Sequence, residues 1–148
     1  MNGFQFSEYI ATSPRRVFEV LSNPTEATNF LDNIKESKQL TGGPIGVGTT
    51  FRETRIMNKS EASADLVVSV YEPDTRVAIS TEAEGIKVLY RYDLSPEGSG
   101  TRLTWVCELE AGGLRKMMLP MVAAIMKKED GAHLQSLKKY LEGSAAAQ

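Results

Sequence analysis

Glu8, Glu53 and Arg55 are the ionisable side chains that strand alternation turns toward apolar neighbours. Glu8 keeps step with Phe6 and Ile10, and Glu53 and Arg55 keep step with Phe51 and Met57. A carboxylate carried into apolar surroundings loses hydration, so its pKa rises and it can exchange a proton near neutral pH. On that ground Glu8 is the candidate general acid or base. The alternative is that the strand twists and Glu8 meets solvent or a basic group, and the same choice stands for Glu53 and Arg55. Tyr90, Tyr92, Trp105 and Cys107 add polar tips to an apolar face, which suits holding a ligand as well as closing a core.

Other reactive types exclude more than they suggest. One cysteine and one histidine, Cys107 and His133, rule out an internal disulfide and a His/Cys zinc centre. No metal and no cofactor is expected. Cys107 reads as a buried, inert thiol, and His133 lacks a neighbouring nucleophile. The stretch Gly42–Gly48 has no Lys-Ser/Thr ending and runs into a strand, so it is a turn and not a phosphate loop.

The elements that must position these residues are legible in order. Phe4–Ile10 alternates as a strand. Ser13-Pro14 and Asn23-Pro24 each start a short helix, the second running to about Leu31. From Ile34 to Glu110 short turns separate strands at Thr49–Met57, Ala62–Tyr71, Val77–Glu82, Ile86–Leu94 and Thr101–Glu110. Such connections predict an antiparallel meander. Ile86, Val88, Tyr90, Tyr92 and Leu94 share one face of their strand. Thr101, Leu103, Trp105, Cys107 and Leu109 share one face of the next.

The last helical segment opens with Leu114–Met126, which is apolar almost all round and holds four of the six methionines. Helical angles divide it. Leu119, Val122 and Met126 continue the sector of His133, Leu134, Leu137 and Leu141, which packs on the sheet. Leu114, Met118, Met121 and Ile125 lie about a quarter turn away and form a lid or a homodimer contact. Pro120 kinks or starts the helix. Residues 1–143 form one domain, and 144–148 a flexible tail.

Composition, at 41% hydrophobic and 24% charged with net charge −2, is that of a folded soluble chain without a basic block for nucleic acid. The start lacks the pattern of a secretory signal, and no apolar run reaches the ~18 residues of a membrane span. A cytoplasmic protein with no integral membrane segment is expected.

Several local sequences carry a family resemblance. Ile10-Ala11 precedes Ser13-Pro14, Val17-Phe18, Leu21 and Asn23-Pro24; Pro44–Thr49 opens one strand and Tyr71-Glu72-Pro73 closes the next; Gly100–Leu103 opens the last; Leu134, Leu137, Lys138 and Leu141-Glu142 end the helix. From Phe4 to Glu142 the chain resembles the START-like (SRPBCC) superfamily, the polyketide cyclase/dehydrase-like helix-grip proteins. The resemblance implies an α+β fold, with a curved antiparallel sheet of about six or seven strands around a long C-terminal helix and two short helices after the first strand. It further implies an apolar cavity between sheet and helix. The expected function is binding of a small hydrophobic molecule such as a lipid or polyketide, as carrier or sensor. The expected ligand-binding residues are Tyr90, Tyr92, Trp105, Cys107, Leu119, Val122, Met126 and His133. The alternatives are a cyclase/dehydrase-type enzyme using Glu8, and a protein-interaction module using Leu114, Met118, Met121 and Ile125.

Overall fold

Ser13 and Asn23 each end an extended stretch and begin a helical one. Ser13 Oγ accepts from the Arg16 amide at 3.4 Å, and Asn23 Oδ1 accepts from the Thr25 amide at 3.2 Å. A computed structural model describes residues 2–57, 59–83 and 85–146. Its elements are β1 (Asn2–Ile10), α1 (Pro14–Leu21), a 3₁₀ segment Pro24–Asn29, β2 (Ile34–Gln39), β3 (Thr50–Met57), β4 (Ser60–Glu72), β5 (Arg76–Ala83), β6 (Ile86–Glu97), β7 (Gly100–Glu110), a second 3₁₀ segment Gly113–Met118, and α2 (Leu119–Ala146).

The strands make one curved seven-stranded sheet in the order β1-β7-β6-β5-β4-β3-β2, every neighbour antiparallel. Five short connections give the meander β2 to β7. The exception is β1, which pairs with β7, so β1 and β2 are the two sheet edges. α1 and the first 3₁₀ segment carry the chain from one edge to the other. They pack against β2, β3, β5, β6 and β7 on the way.

α2 covers the inner face, as its apolar sector requires. Leu134, Leu137 and Leu141 enter a core with Ile10, Val17, Phe51, Val68 and Leu103. Leu119 and Ala123 enter a second cluster with Phe4, Val88, Cys107 and Leu109. α2 lies close to β1 at Gly131, where an added Cβ would stand 3.3 Å from the Phe6 ring. Burying Leu137 and Leu141, each 3% exposed or less, contributes about 2 kcal/mol apiece.

The second short helix is a 3₁₀ segment, Pro24–Asn29, ending two residues short of Leu31. Glu26 Oε2 accepts from Asn29 Nδ2 and Tyr140 Oη, both at 3.3 Å. Pro120 starts α2 and does not kink it, because a missing amide costs nothing in a first turn. α2 continues past Glu142 to Ala146, and 147–148 lie outside the described residues.

Candidate functional site

β3 delivers Glu53 and Arg55 to the inner face beside the buried Phe51. Glu53 is 7% exposed, and the Arg55 Nε donates to its Oε1 at 2.6 Å. A buried carboxylate without such a partner would cost several kcal/mol, so this pair fixes both side chains indoors. Glu129 on α2 extends the pair. Its Oε1 lies 3.9 Å from Arg55 Nη1 and accepts from Asn33 Nδ2 at 3.2 Å. Burial works against the Arg55 charge, but Glu53 and Glu129 outweigh it and raise its pKa.

Next to Glu129 on α2 stands Asp130, and one turn along stands His133. Asp130 is 4% exposed, its Oδ1 is 3.7 Å from His133 Nδ1, and its Oδ2 has no hydrogen-bond partner. Burial pushes the Asp130 carboxyl up to about 7; Arg55 pulls the other way, while Glu129 and Glu53 add to the rise. Burial also lowers the His133 pKa, helped by Arg55, so the imidazole is held neutral. An acid that titrates near neutrality therefore sits beside an imidazole whose pKa is lowered.

The aromatic wall comes from β6 and β7. Tyr92 stacks on Trp105 at 5.2 Å between ring centroids, and Tyr90 approaches the same indole at 6.0 Å. The Trp105 indole nitrogen is buried and has no hydrogen-bond partner. Burial raises the pKa of both phenols, so they stay protonated and can only donate or accept hydrogen bonds.

These groups enclose a cavity of about 110 Å³ lined by Glu53, Arg55, Tyr90, Tyr92, Trp105, Asp130, His133, Leu134 and Leu137, with Val20, Leu21, Pro24, Ala27, Phe30 and Leu31 closing the other side. The space is apolar on most sides and ionisable on one. At about 110 Å³ it is smaller than the ~150 Å³ apolar void that admits a benzene, so it has room for part of a ligand and not for a whole ring system. A larger open groove of about 1220 Å³ runs where β4 and β5 splay, lined by outer-face residues such as Arg52 and Asp65 and by Val88, Leu109 and Leu119 of the second apolar cluster. There β4 parts from β5 below the Val67–Ser80 pair, and the Thr81 hydroxyl donates to the Asp65 carbonyl at 2.8 Å across the opening. Solvated pairs such as Arg52–Asp65 line it, as expected of a sheet's wet face.

Of the expected ligand-binding residues, Tyr90, Tyr92, Trp105 and His133 converge on the cavity. Cys107, Leu119, Val122 and Met126 do not line it; they belong to the second apolar cluster, nearer the start of α2. Burial pushes the Cys107 thiol up to about 12. Glu8 keeps its helix-facing register but is absent from the cavity wall. Its carboxylate accepts from Gln135 Nε2 at 3.1 Å and faces Lys138 Nζ at 3.5 Å. The acid of the site is Asp130, which the sequence reading missed. The signal was present: Asp130 falls four residues after Met126 and four before Leu134, inside the sheet-facing sector.

Residues 1–142 match the family described as polyketide cyclase / dehydrase and lipid transport. The chain belongs to this family. Solved structures of similar shape span the reach of this cyclase/dehydrase and lipid-transport fold. The crystal structure of Ara h 8.0201 is 16% identical with TM-score 0.77, covering 98% of this chain and 97% of that one. The di-domain ARO/CYC StfQ from the steffimycin biosynthetic pathway is 12% identical with TM-score 0.76, covering 97% of this chain and 51% of that one. A START superfamily protein from Mycobacterium smegmatis is 18% identical with TM-score 0.69, covering 95% and 94%. At these identities the likeness establishes the helix-grip fold. A search of curated proteins gave no match. Among the described residues no helix is long and apolar enough to cross a membrane, and no group of three His, Cys, Asp or Glu is arranged to hold a metal ion.

Proposed function

We propose that this protein binds a small, mostly apolar molecule carrying one neutral oxygen function, in the cavity between the sheet and α2. The observation that carries the reading is the cavity's division into an aromatic and aliphatic wall and one polar end. Membership of a family named for cyclases, dehydrases and lipid transport supports the apolar ligand class. The polar end supports the neutral group: Arg55 is already paired with Glu53, so no free cation lines the cavity to hold an anionic ligand. A carbonyl or hydroxyl can instead meet the protonated Asp130, the His133 imidazole or the tyrosine hydroxyls.

Trp105 is the only tryptophan, and it lines the cavity, so its emission reports the site alone. Titrating with cyclic ketones is expected to shift or quench that emission saturably. Aliphatic carboxylates of equal size are expected to leave it unchanged. Saturable binding of carboxylates in preference to ketones would overturn the reading, as would the absence of any change across ketones of increasing ring number.

A second reading, cyclase- or dehydrase-type proton transfer, is favoured by one specific feature. Asp130 titrates near neutrality within an apolar cavity, as a general acid or base requires. In D₂O the protein is expected to accelerate exchange of the α-protons of a cyclic monoketone, followed by NMR, and Asp130→Asn to abolish the acceleration. Exchange surviving intact in Asp130→Asn counts against this role.

A further inference from the structure

Leu114, Met117, Met118, Met121 and Ile125 project from the molecule, each between 48% and 84% exposed. They come from the second 3₁₀ segment and the first two turns of α2, which Leu119 and Ala123 anchor in the core on the opposite side. Five large apolar side chains on one convex segment form a patch that water does not favour.

The charge around the patch identifies what covers it. Residues 111–128 contain Arg115, Lys116, Lys127 and Lys128 and no acidic residue, within a chain whose net charge is −2. All four cations are exposed. Lys116, Lys127 and Lys128 take no part in any ion pair among the described residues. Lys128 ends the stripe of Met121 and Ile125, three residues beyond Ile125. A convex apolar ridge collared by unpaired cations is complementary to an anionic bilayer surface, where side chains enter the acyl boundary and cations stay among the headgroups. A second copy of the chain fits worse. The segment has no anion to offer, so two such ridges set cation against cation in either direction.

We propose that Leu114–Lys128 docks this protein reversibly on anionic lipid bilayers, with Met117, Met121 and Ile125 inserted and Lys127 and Lys128 on the headgroups. The segment borders the open groove through Lys116 and Leu119.

The test is flotation of the full chain with phosphatidylcholine vesicles, with and without phosphatidylserine. Binding is expected only with phosphatidylserine and is expected to fall in high salt. Lys127→Gln with Lys128→Gln is expected to weaken it about 25-fold, at about fivefold per cation. Met121→Ser with Ile125→Ser is expected to abolish it while leaving the thermal unfolding curve unchanged, because both side chains are exposed. Binding indifferent to phosphatidylserine, or unaffected by both pairs, overturns the proposal. So does a dimer in sedimentation velocity that Met121→Ser with Ile125→Ser dissociates, because the ridge would then be a contact between copies.

Discussion

Arg55→Met is expected to lower the unfolding free energy by about 3 kcal/mol at neutral pH, read from denaturant melts. Removing one partner of a buried pair strands the other, and such losses run to about 3–5 kcal/mol. The lower figure applies because 30% of the Arg55 side chain is exposed while Glu53 is nearly sealed. Adding Glu53→Gln to Arg55→Met is expected to recover most of the loss, since an amide tolerates the same apolar surroundings far better than a carboxylate. A single-variant loss below about 1 kcal/mol would show that Arg55 does not hold Glu53 in place. Arg55 is also the nearby charge that draws the Asp130 pKa down, so Asp130 in the methionine variant is expected to titrate above about 7.

Asp130→Asn is expected to stabilise the protein at alkaline pH and leave it nearly unchanged in acid. The Asp130 carboxyl titrates near 7 when folded and near its ordinary value of 3.8 when unfolded. Between those values the folded state holds the extra proton, so stability falls as pH rises from about 4 to about 7. Above 7 the folded protein carries the full cost of a buried carboxylate. At about 1.4 kcal/mol per pH unit that cost is at most about 4 kcal/mol, and asparagine avoids it. His133 opposes this trend: its lowered pKa makes stability fall as pH drops below 6.5. The comparison is therefore the difference between variant and wild type at each pH, in which the His133 contribution largely cancels. Arg55, Glu53 and Glu129 face the same carboxyl, and Arg55, whose pKa is raised, stays charged through the window. A variant no more stable than wild type at pH 8 would mean that Asp130 ionises in the fold without penalty.

Much of this site could be read from the chain. Alternation in β6 and β7 set Tyr90, Tyr92 and Trp105 on one face, because one wet and one covered side leave a period of two. The same rule placed Glu53 and Arg55 beside Phe51, but not whether they turned inward as a pair; that depends on Glu129 and Asn33, remote in sequence. Glu8 attracted notice as a lone acid on an apolar strand face. Its partners Lys138 and Gln135 lie about 130 residues away, and only docking of α2 on β1 brings them together. Asp130 was hidden by its surroundings. Lys127, Lys128 and Glu129 precede it, so residue type suggested a solvated turn, whereas helical angle put it in the sheet-facing sector.

The edge position of β1 has a kinetic consequence. Phe4 pairs with Cys107, about 100 residues later, so the first strand to leave the ribosome has no partner until the last strand is made. The meander from β2 to β7 pairs neighbour with neighbour and can form as it is synthesised, whereas closing β1 onto β7 is a long-range step of the kind that slows folding. α2 packs on β1 and follows it. Asp130 and His133 therefore reach Glu53 and Arg55 at the end of folding, and until then the aromatic wall of β6 and β7 stands open.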